Sequence, residues 1–481
     1  MSASRFPLRR ALVPLAIMLT TGCASVGPQW HGAPAVAPQA AARGHFVRTD
    51  ATFDTTTPTV SWWQVFGDPV LDDLETRALA GSPDLAAARA RLAGAQAAVA
   101  ASHSAAAPRI GVGAVAGEVS LPGALLGRDG RLSEQVYGDN VQASWEADLF
   151  GTQRRRDEAA QDRAEAAAAQ SADVAVALTA AVAQAYVDLR AAQANAALIR
   201  DQIAIDRHQI DHAKGRLQGG TAPEQTVESA CATLAQSEAD LAEAQAQIVT
   251  LTDQVALLVG AEPGTLDALL APVAAMPAVP AQVAVGDPAH LLRHRPDVRA
   301  AEQQLAAATA DVGARMADRL PSISFTGILG LGGTTVGDAF NPATLIGLVV
   351  PQIKWTPFDG GRGAALVHQA QSARDEAEAQ YRGRVLSALN DAETALVRFG
   401  TQRITLARAI DQRDRAAAIA ALQAQRSHDG TVSAADAELA RRQVLRATLA
   451  VTSAQAMLTK DFIAVEKALG LGWDSTSPVQ K

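Results

Sequence analysis

The chain has 481 residues, with 42 Lys and Arg against 50 Asp and Glu, and a formal net charge of −8. That acidic balance argues against nucleic acid as a partner. Two cysteines, Cys23 and Cys231, are too few for a disulfide framework.

Residues 1–22 read as an export address rather than as fold. Arg5, Arg9 and Arg10 make a basic start, and Ala11 to Leu19 is an apolar stretch too short to span a bilayer. Leu19-Thr20-Thr21-Gly22-Cys23 then resembles the bacterial lipobox, in which the Cys is lipidated and becomes the first mature residue. By the same resemblance, Ala24 in place of an Asp argues against retention in the inner membrane. Acyl chains add about 0.8 kcal/mol per buried methylene, so several of them would hold the N-terminus firmly in lipid. From Cys23 onward 39 basic residues face 50 acidic ones, a net charge of −11. Residues 23–60 are rich in Ala, Pro, Gly and Thr and read as an extended, lipidated tether.

Residues 61–260 form a first structural repeat. Ser61-Trp62-Trp63 opens it, Asp68-Pro69 starts a short helix, and Ser82-Pro83-Asp84 starts a longer one ending near Ser104. The period then changes to two. Asn140, Gln142, Ser144, Glu146 and Asp148 alternate with Val141, Ala143, Trp145, Ala147 and Leu149, which predicts strands within about 108–150. Residues 151–218 contain no Pro and, between Thr152 and Lys214, no Gly. Val182, Ala185, Leu189, Ala192, Ala196, Ile199 and Ile203 form a narrow stripe at steps of three and four, the pattern of a coiled coil. The helix spans roughly 100 Å at 1.5 Å per residue. A shorter helix follows over 222–259. Cys231 lies on its stripe with Val227, Leu234 and Leu241, as a structural thiol would.

Residues 261–286 hold Pro263, Pro272, Pro277 and Pro280 and read as a connector. A second repeat, 287–470, then copies the first: a helix, strands about 320–357, a long helix 361–428 with Val385, Leu389, Ala392, Leu396 and Phe399 on its stripe, and a helix 432–469. A tail, 471–481, ends the chain. Ser82-Pro83-Asp84 and Arg295-Pro296-Asp297 lie 213 residues apart, as do Pro108 and Pro321. Gly151 and Gly361, and Gly220 and Gly430, lie 210 apart. Fixed offsets across several landmarks mark an internal duplication.

Four strands cannot close a membrane barrel, which needs about eight. An open sheet in lipid leaves edge groups unpaired at several kcal/mol each. The sheet is therefore either soluble, or shared between copies of the chain. The apolar faces, the terminal Trp residues and the lipid anchor favour sharing. The predicted fold is mixed, mainly α, with a membrane β-barrel part.

Four segments carry a family resemblance: Trp62-Trp63-Gln64-Val65-Phe66-Gly67-Asp68-Pro69, Ala143-Ser144-Trp145-Glu146-Ala147-Asp148-Leu149-Phe150-Gly151, Leu291-Leu292 with Arg295-Pro296-Asp297-Val298-Arg299-Ala300-Ala301-Glu302, and Phe358-Asp359-Gly360-Gly361-Arg362. They resemble the TolC/OprM-type outer-membrane efflux channels, nearest the NodT lipoprotein branch. The resemblance implies a homotrimer in which each chain gives four strands to a twelve-stranded outer-membrane barrel and its helices to a periplasmic α-barrel. It implies partners too: a periplasmic adaptor, an inner-membrane transporter and outer-membrane lipid. It implies a passive duct without catalysis or cofactor. Lipidation falls on Cys23. The periplasmic gate candidate is Asp436, beyond the turn His428-Asp429-Gly430-Thr431, with a capping role in the first turn of its helix, where the dipole favours an acid, as the equal alternative; a second acid common three residues later is Leu439 here.

Other chemistry is weaker. Gly111 to Gly117 lacks the strand–loop–helix setting of a dinucleotide loop, and Gly330-Leu331-Gly332-Gly333 lacks the Lys of a phosphate loop. His208 and His212 have no third ligand in view. A periplasmic adaptor has one helical hairpin flanked by compact β domains, whereas this chain has two hairpin copies. A structural coiled-coil lipoprotein would not need strands with apolar outer faces.

Overall fold

The structure is a computed structural model that describes residues 25–122 and 129–473. Cys23 and the end of the 471–481 tail lie outside those residues. The chain divides into two compact units, one of residues 1–34, 92–167 and 301–381, the other of residues 35–91, 168–300 and 382–481.

The first unit is built on a four-stranded antiparallel sheet of β2 (Arg109–Pro122), β3 (Arg131–Ala147), β5 (Ser322–Gly333) and β6 (Ile346–Lys354), in the order β2-β3-β5-β6. One hairpin comes from each repeat. They meet at β3 and β5, where Trp145 faces Phe325 and Val141 faces Leu329. Strands β2 and β6 are the two edges.

The second unit is helical. Helix α2 (Pro69–Gly81) starts at Asp68, whose side chain accepts from the N–H groups of Val70 and Leu71. Helix α3 (Pro83–Ser104) follows it. The long helices α4 (Thr152–Gln218) and α9 (Arg362–His428) have 67 residues each. Their shorter partners are α5 (Glu224–Val259) and α10 (Ala434–Ala468). Val182, Ala185, Leu189, Ala192, Ala196 and Ile203 of the α4 stripe are buried, as are Val385, Ala392, Leu396 and Phe399 of α9. Alanine dominates these seams, and a small side chain lets helix backbones approach closely. One window of α4 is apolar enough to cross a membrane, but half of it is buried against the protein.

Polar clasps fix the ends of this body. Helix α7 (Pro288–His294) leads into α8 (Pro296–Ala317), and Arg295 sits between them. Arg295 grips Asp297 with two bonds, at 2.9 and 2.8 Å, and donates to the carbonyl of Ala468 at 2.9 Å. Burial pushes the Asp297 carboxyl up, but the Arg295 bonds and charge outweigh it and hold the group below the usual range. This gives the Arg-Pro-Asp motif a structural cause. Trp62, fully buried, stands edge-on to Phe462 at 6.3 Å.

Two expectations need correction. The segment read as an extended tether is docked at its described start, near Val26, and again over its second half. It carries α1 (Pro38–Arg43) and β1 (Phe53–Asp54), which pairs in parallel with β4 (Val283–Ala284). Phe46 is fully buried, and the N–H groups of Val47 and Arg48 donate to the Glu393 carboxylate at 2.8 and 3.0 Å. Two aromatic anchors and one carboxylate facing two bare N–H groups outweigh a linker-like composition. Cys231 is a half-buried free thiol rather than a core one. The Pro-rich connector holds a short helix, α6 (Asp267–Leu270), and its carbonyls are bonded: Pro272 accepts from Arg190 and Pro277 from Thr459.

Two helix ends 210 residues apart share one geometry. Gly260 and Gly470, 210 apart, both end a helix at positive φ, 76° and 77°. The N–H groups of Ala261 and Leu471 return to the carbonyls of Ala256 and Glu466. Glu466 therefore stands where the first repeat has a buried Ala. Its Oε2 atom has no partner, and burial pushes its carboxyl up to about 8. Such a group favours the fold most below pH 4.5, and that contribution is lost as pH rises through about 8. Glu466→Gln should therefore raise the thermal midpoint strongly at pH 8.5 and little at pH 5, a gain on the order of a few kcal/mol at the higher pH. An equal shift at both pH values, followed by intrinsic Trp fluorescence, would contradict this.

Candidate functional site

The register of the sheet sorts its side chains into two faces. Paired residues share a face, so each row can be followed across the strands. One face carries Ile110–Ala143–Gly327–Val349, Val112–Val141–Leu329–Gly347, Trp145–Phe325–Pro351 and Ala147–Ile323–Ile353. Val112 is 83% exposed, Ile110 and Ile353 73%. The other face carries Arg109–Ser144–Thr326–Val350, Glu146–Ser324–Gln352 and Ser322–Lys354, with apolar Val115, Ile328, Ile346 and Leu348 higher up. A soluble sheet packs its apolar face inward; here the apolar face is bare.

Glycines crowd the polar side. A Cβ at Gly330 would stand 2.5 Å from the Asp139 carbonyl, and one at Gly332 would stand 2.8 Å from that of Tyr137. On that side the strand backbones leave no room for larger side chains at these positions.

Aromatic residues mark the lower rim. Trp145 Nε1 donates to the Ala106 carbonyl at 3.0 Å, and Trp355 Nε1 to that of Arg319 at 3.3 Å. The pair repeats the 210 and 213 offsets. Each ring stays partly exposed with its N–H satisfied, which suits a membrane–water boundary. In the same unit Ser25 packs on Gly151, and the Val26 N–H donates to Phe150 at 3.2 Å. Cys23 lies two residues upstream, outside the described residues.

In the helical unit, the two turns at the helix tips are copies. Thr221 and Thr431 each return both N–H and hydroxyl to a carbonyl five residues back, of Arg216 and Arg426. Gly220 and Gly430 supply φ of 65° and 72°. The next helix starts differ. Pro223 precedes α5 without a side-chain cap, whereas Ser433 and Asp436 form a capping box on α10. The Asp436 Oδ2 atom takes the Ser433 hydroxyl at 2.6 Å and its N–H at 3.2 Å. Asp436 is fully exposed, and the Ser433 bonds hold its carboxyl below the usual range. It is at once a helix-start residue and an ionised carboxylate at a tip. Asp429 is bonded instead to Gln425.

Above the tips, α4 and α10 run antiparallel and are cross-linked in register. Lys460 meets Asp188 at 2.7 Å, Arg442 meets Asp206 at 2.6 Å, and Glu438 lies 3.7 Å from His212. Asp206 is the centre. Its side chain is fully buried and also accepts from Ser237 of α5 at 2.6 Å and from Gln202 at 2.8 Å. A buried pair adds little over an apolar one, but removing one partner costs about 3–5 kcal/mol. The sequence reading missed this joint. Its signal was present: Asp206 interrupts the apolar spacing of Ile203 and Ile210, where a solvated Asp has no reason to be. His208 and His212 stand apart from any group of three metal-capable side chains among the described residues.

Both repeats match the family model described as outer membrane efflux protein, over residues 74–261 and 288–471. The chain is 27% identical to nodulation protein T of Rhizobium leguminosarum bv. trifolii, over 98% of each chain. It is 30% identical to the pyoverdine export outer membrane protein OpmQ of Pseudomonas putida, over 98% of this chain and 99% of that one. The solved outer-membrane channel OprN superposes with a TM-score of 0.83 at 30% identity, over 93% of this chain and 99% of that one. A sheet with an exposed apolar face and open edges, a body of two long helical hairpins and these matches agree, and the chain belongs to the outer membrane efflux protein family, as an outer-membrane efflux channel.

Proposed function

We propose that three copies of the chain close one twelve-stranded barrel and continue as a periplasmic α-barrel, forming the passive export duct of a tripartite pump. The observation that carries this reading is the pair of bare strand edges, β2 and β6, on a sheet with one exposed apolar face. Edges in lipid must pair, and four strands per chain reach a closed barrel only by pairing with other copies. In this assembly a periplasmic adaptor holds the helix tips and an inner-membrane transporter loads the duct. Residues 1–22 are removed, and acylated Cys23 adds a lipid anchor. Residues 61–260 and 287–470 act as the two repeat domains of each copy.

Asp436 recurs three times around the axis in this trimer. Three carboxylates in a narrow opening attract cations and repel anions, the more so where water is scarce. The low carboxyl pKa keeps each one charged at neutral pH.

Two outcomes test the reading. Val141→Arg puts a charge on the lipid face, at about 2–4 kcal/mol per copy near the midplane. It should abolish insertion of assembled protein into liposomes, whereas Gln142→Arg on the other face should not. In planar bilayers, Asp436→Asn should lower cation selectivity and weaken divalent-cation block, and Asp429→Asn should do less. Asn retains an acceptor for Ser433, so the helix start is preserved while the charge is lost. Parent-like selectivity in Asp436→Asn would place the gate elsewhere.

A further inference from the structure

Two joints in the helical unit are copies of one another. In the first repeat, the glycine after α5, Gly260, meets the turn from α2 to α3. A Cβ there would stand 2.2 Å from the Gly81 carbonyl and 3.5 Å from Pro83 Cδ. In the second, the glycine after α10, Gly470, meets the turn from α7 to α8. A Cβ there would stand 2.8 Å from Arg295 Cγ and 3.3 Å from Pro296 Cδ. Pro83 and Pro296 are 213 apart, and Gly260 and Gly470 are 210 apart. Only glycine lets the chains pass this closely.

Each joint encloses an acid. Among the described residues three carboxylate side chains are buried: Glu75, Asp206 and Glu466. Asp206 is paired with Arg442. The other two are not: both carboxylate oxygens of Glu75 and the Oε2 atom of Glu466 lack a partner. Glu75 lies on α2, less than two turns before Gly81, and α2 packs on α5. Glu466 lies on α10, about one turn before Gly470. Their twins are Pro288 and Ala256, so neither acid is inherited from the other. The first joint draws its acid from α2, the second from α10. Two unrelated substitutions have put the same group into both copies, from opposite sides. A group enclosed within one copy of the chain stays enclosed in any assembly of copies.

Nothing nearby rewards a charge on either acid. Asp72, on the same helix, disfavours one on Glu75, and Asp253 of α5 and Tyr186 and Arg190 of α4 do not offset this. At the second joint the titratable groups are His290, Arg293 and His294 of α7 and Asp391 of α9. Arg295 is taken up by Asp297 and Asp391, and burial alone acts on Glu466. Burial pushes both carboxyls up, that of Glu466 to about 8. In an opened joint, water reaches the acid and it titrates near its ordinary 4.5. Between those values closing takes up a proton, so opening grows with pH and levels off above the higher one.

We propose that the two joints are proton-held latches, with Glu75 in the first and Glu466 in the second as the group that must carry a proton for the joint to close. The ligand of each site is the proton itself. Alkaline medium therefore loosens the ends of α5 and α10 from the turns they rest on, independently of how the copies assemble.

The test is hydrogen exchange of the full chain in detergent micelles, corrected for the intrinsic rise of exchange with pH. Helix α9 around Leu396 is the internal reference. In the parent, opening of α10 near Phe462 should rise about tenfold per pH unit between about pH 5 and about pH 7.5. Opening of α2 near Leu74 and of α5 near Val255 should rise with pH as well. Glu466→Gln should abolish the rise at α10 and leave it at α2 and α5, and Glu75→Gln should do the reverse. Glu75→Met and Glu466→Met, similar in size and unable to ionise, should behave as the Gln variants do. Each variant should also lose part of the infrared band of protonated carboxyl at neutral pH. The latches are overturned if the parent shows no such rise at either joint, or if the rise survives in the variant of its own joint. They are also overturned if one variant abolishes both rises, or if the carboxyl band is unchanged in both.

Discussion

A backbone N–H or C=O left bare in lipid costs several kcal/mol, and this chain offers a sheet with two such edges. Everything about the first unit follows from that constraint. The strands are long enough to cross a bilayer when tilted. Their apolar rows face outward, the opposite of what a single soluble copy would favour. A fold that is unsatisfactory alone becomes satisfactory as part of a ring, so the oligomer is a requirement of the backbone rather than an accessory.

The helical unit answers a different problem. Helices of 67 residues cannot be stabilised from their ends and need partners along their length. Alanine-rich seams give close packing but little to fix register, because one alanine resembles the next. Register is supplied by polar pegs. Asp188 with Lys460 and Asp206 with Arg442 advance by the same 18 residues on each helix, in opposite directions. Arg295 does the same work at the end of the body, binding Asp297 and reaching the carbonyl at the end of α10. Buried polar groups here specify alignment more than they add stability.

Much of this was legible from residue order. The two-residue alternation from Asn140 to Leu149 located a strand, and the offsets of 213 and 210 located the repeat before any coordinate did. The same offsets recur in the Trp145 and Trp355 bonds and in the Thr221 and Thr431 turns. What stayed hidden depended on contacts between distant segments. Nothing local marks Glu393 as the acceptor for Val47 and Arg48, or Phe46 as core within a Pro- and Gly-rich stretch. Asp436 was legible both as a tip acid and as a helix-start residue, and the Ser433 hydroxyl beside it shows how it fills the second role. The duplication also misleads where the copies diverge, as at Pro223 against Ser433 and Ala256 against Glu466.

The central claim is that β2 of one copy pairs with β6 of the next. The most direct measurement is a disulfide scan with one Cys placed along β2, from Arg109 to Val115, and one along β6, from Ile346 to Lys354, in membranes. The account predicts that one register of pairs, and its neighbours two residues away, yields covalent dimers and trimers and no larger species. Folded, membrane-inserted protein that forms no intermolecular disulfide at any register would contradict it.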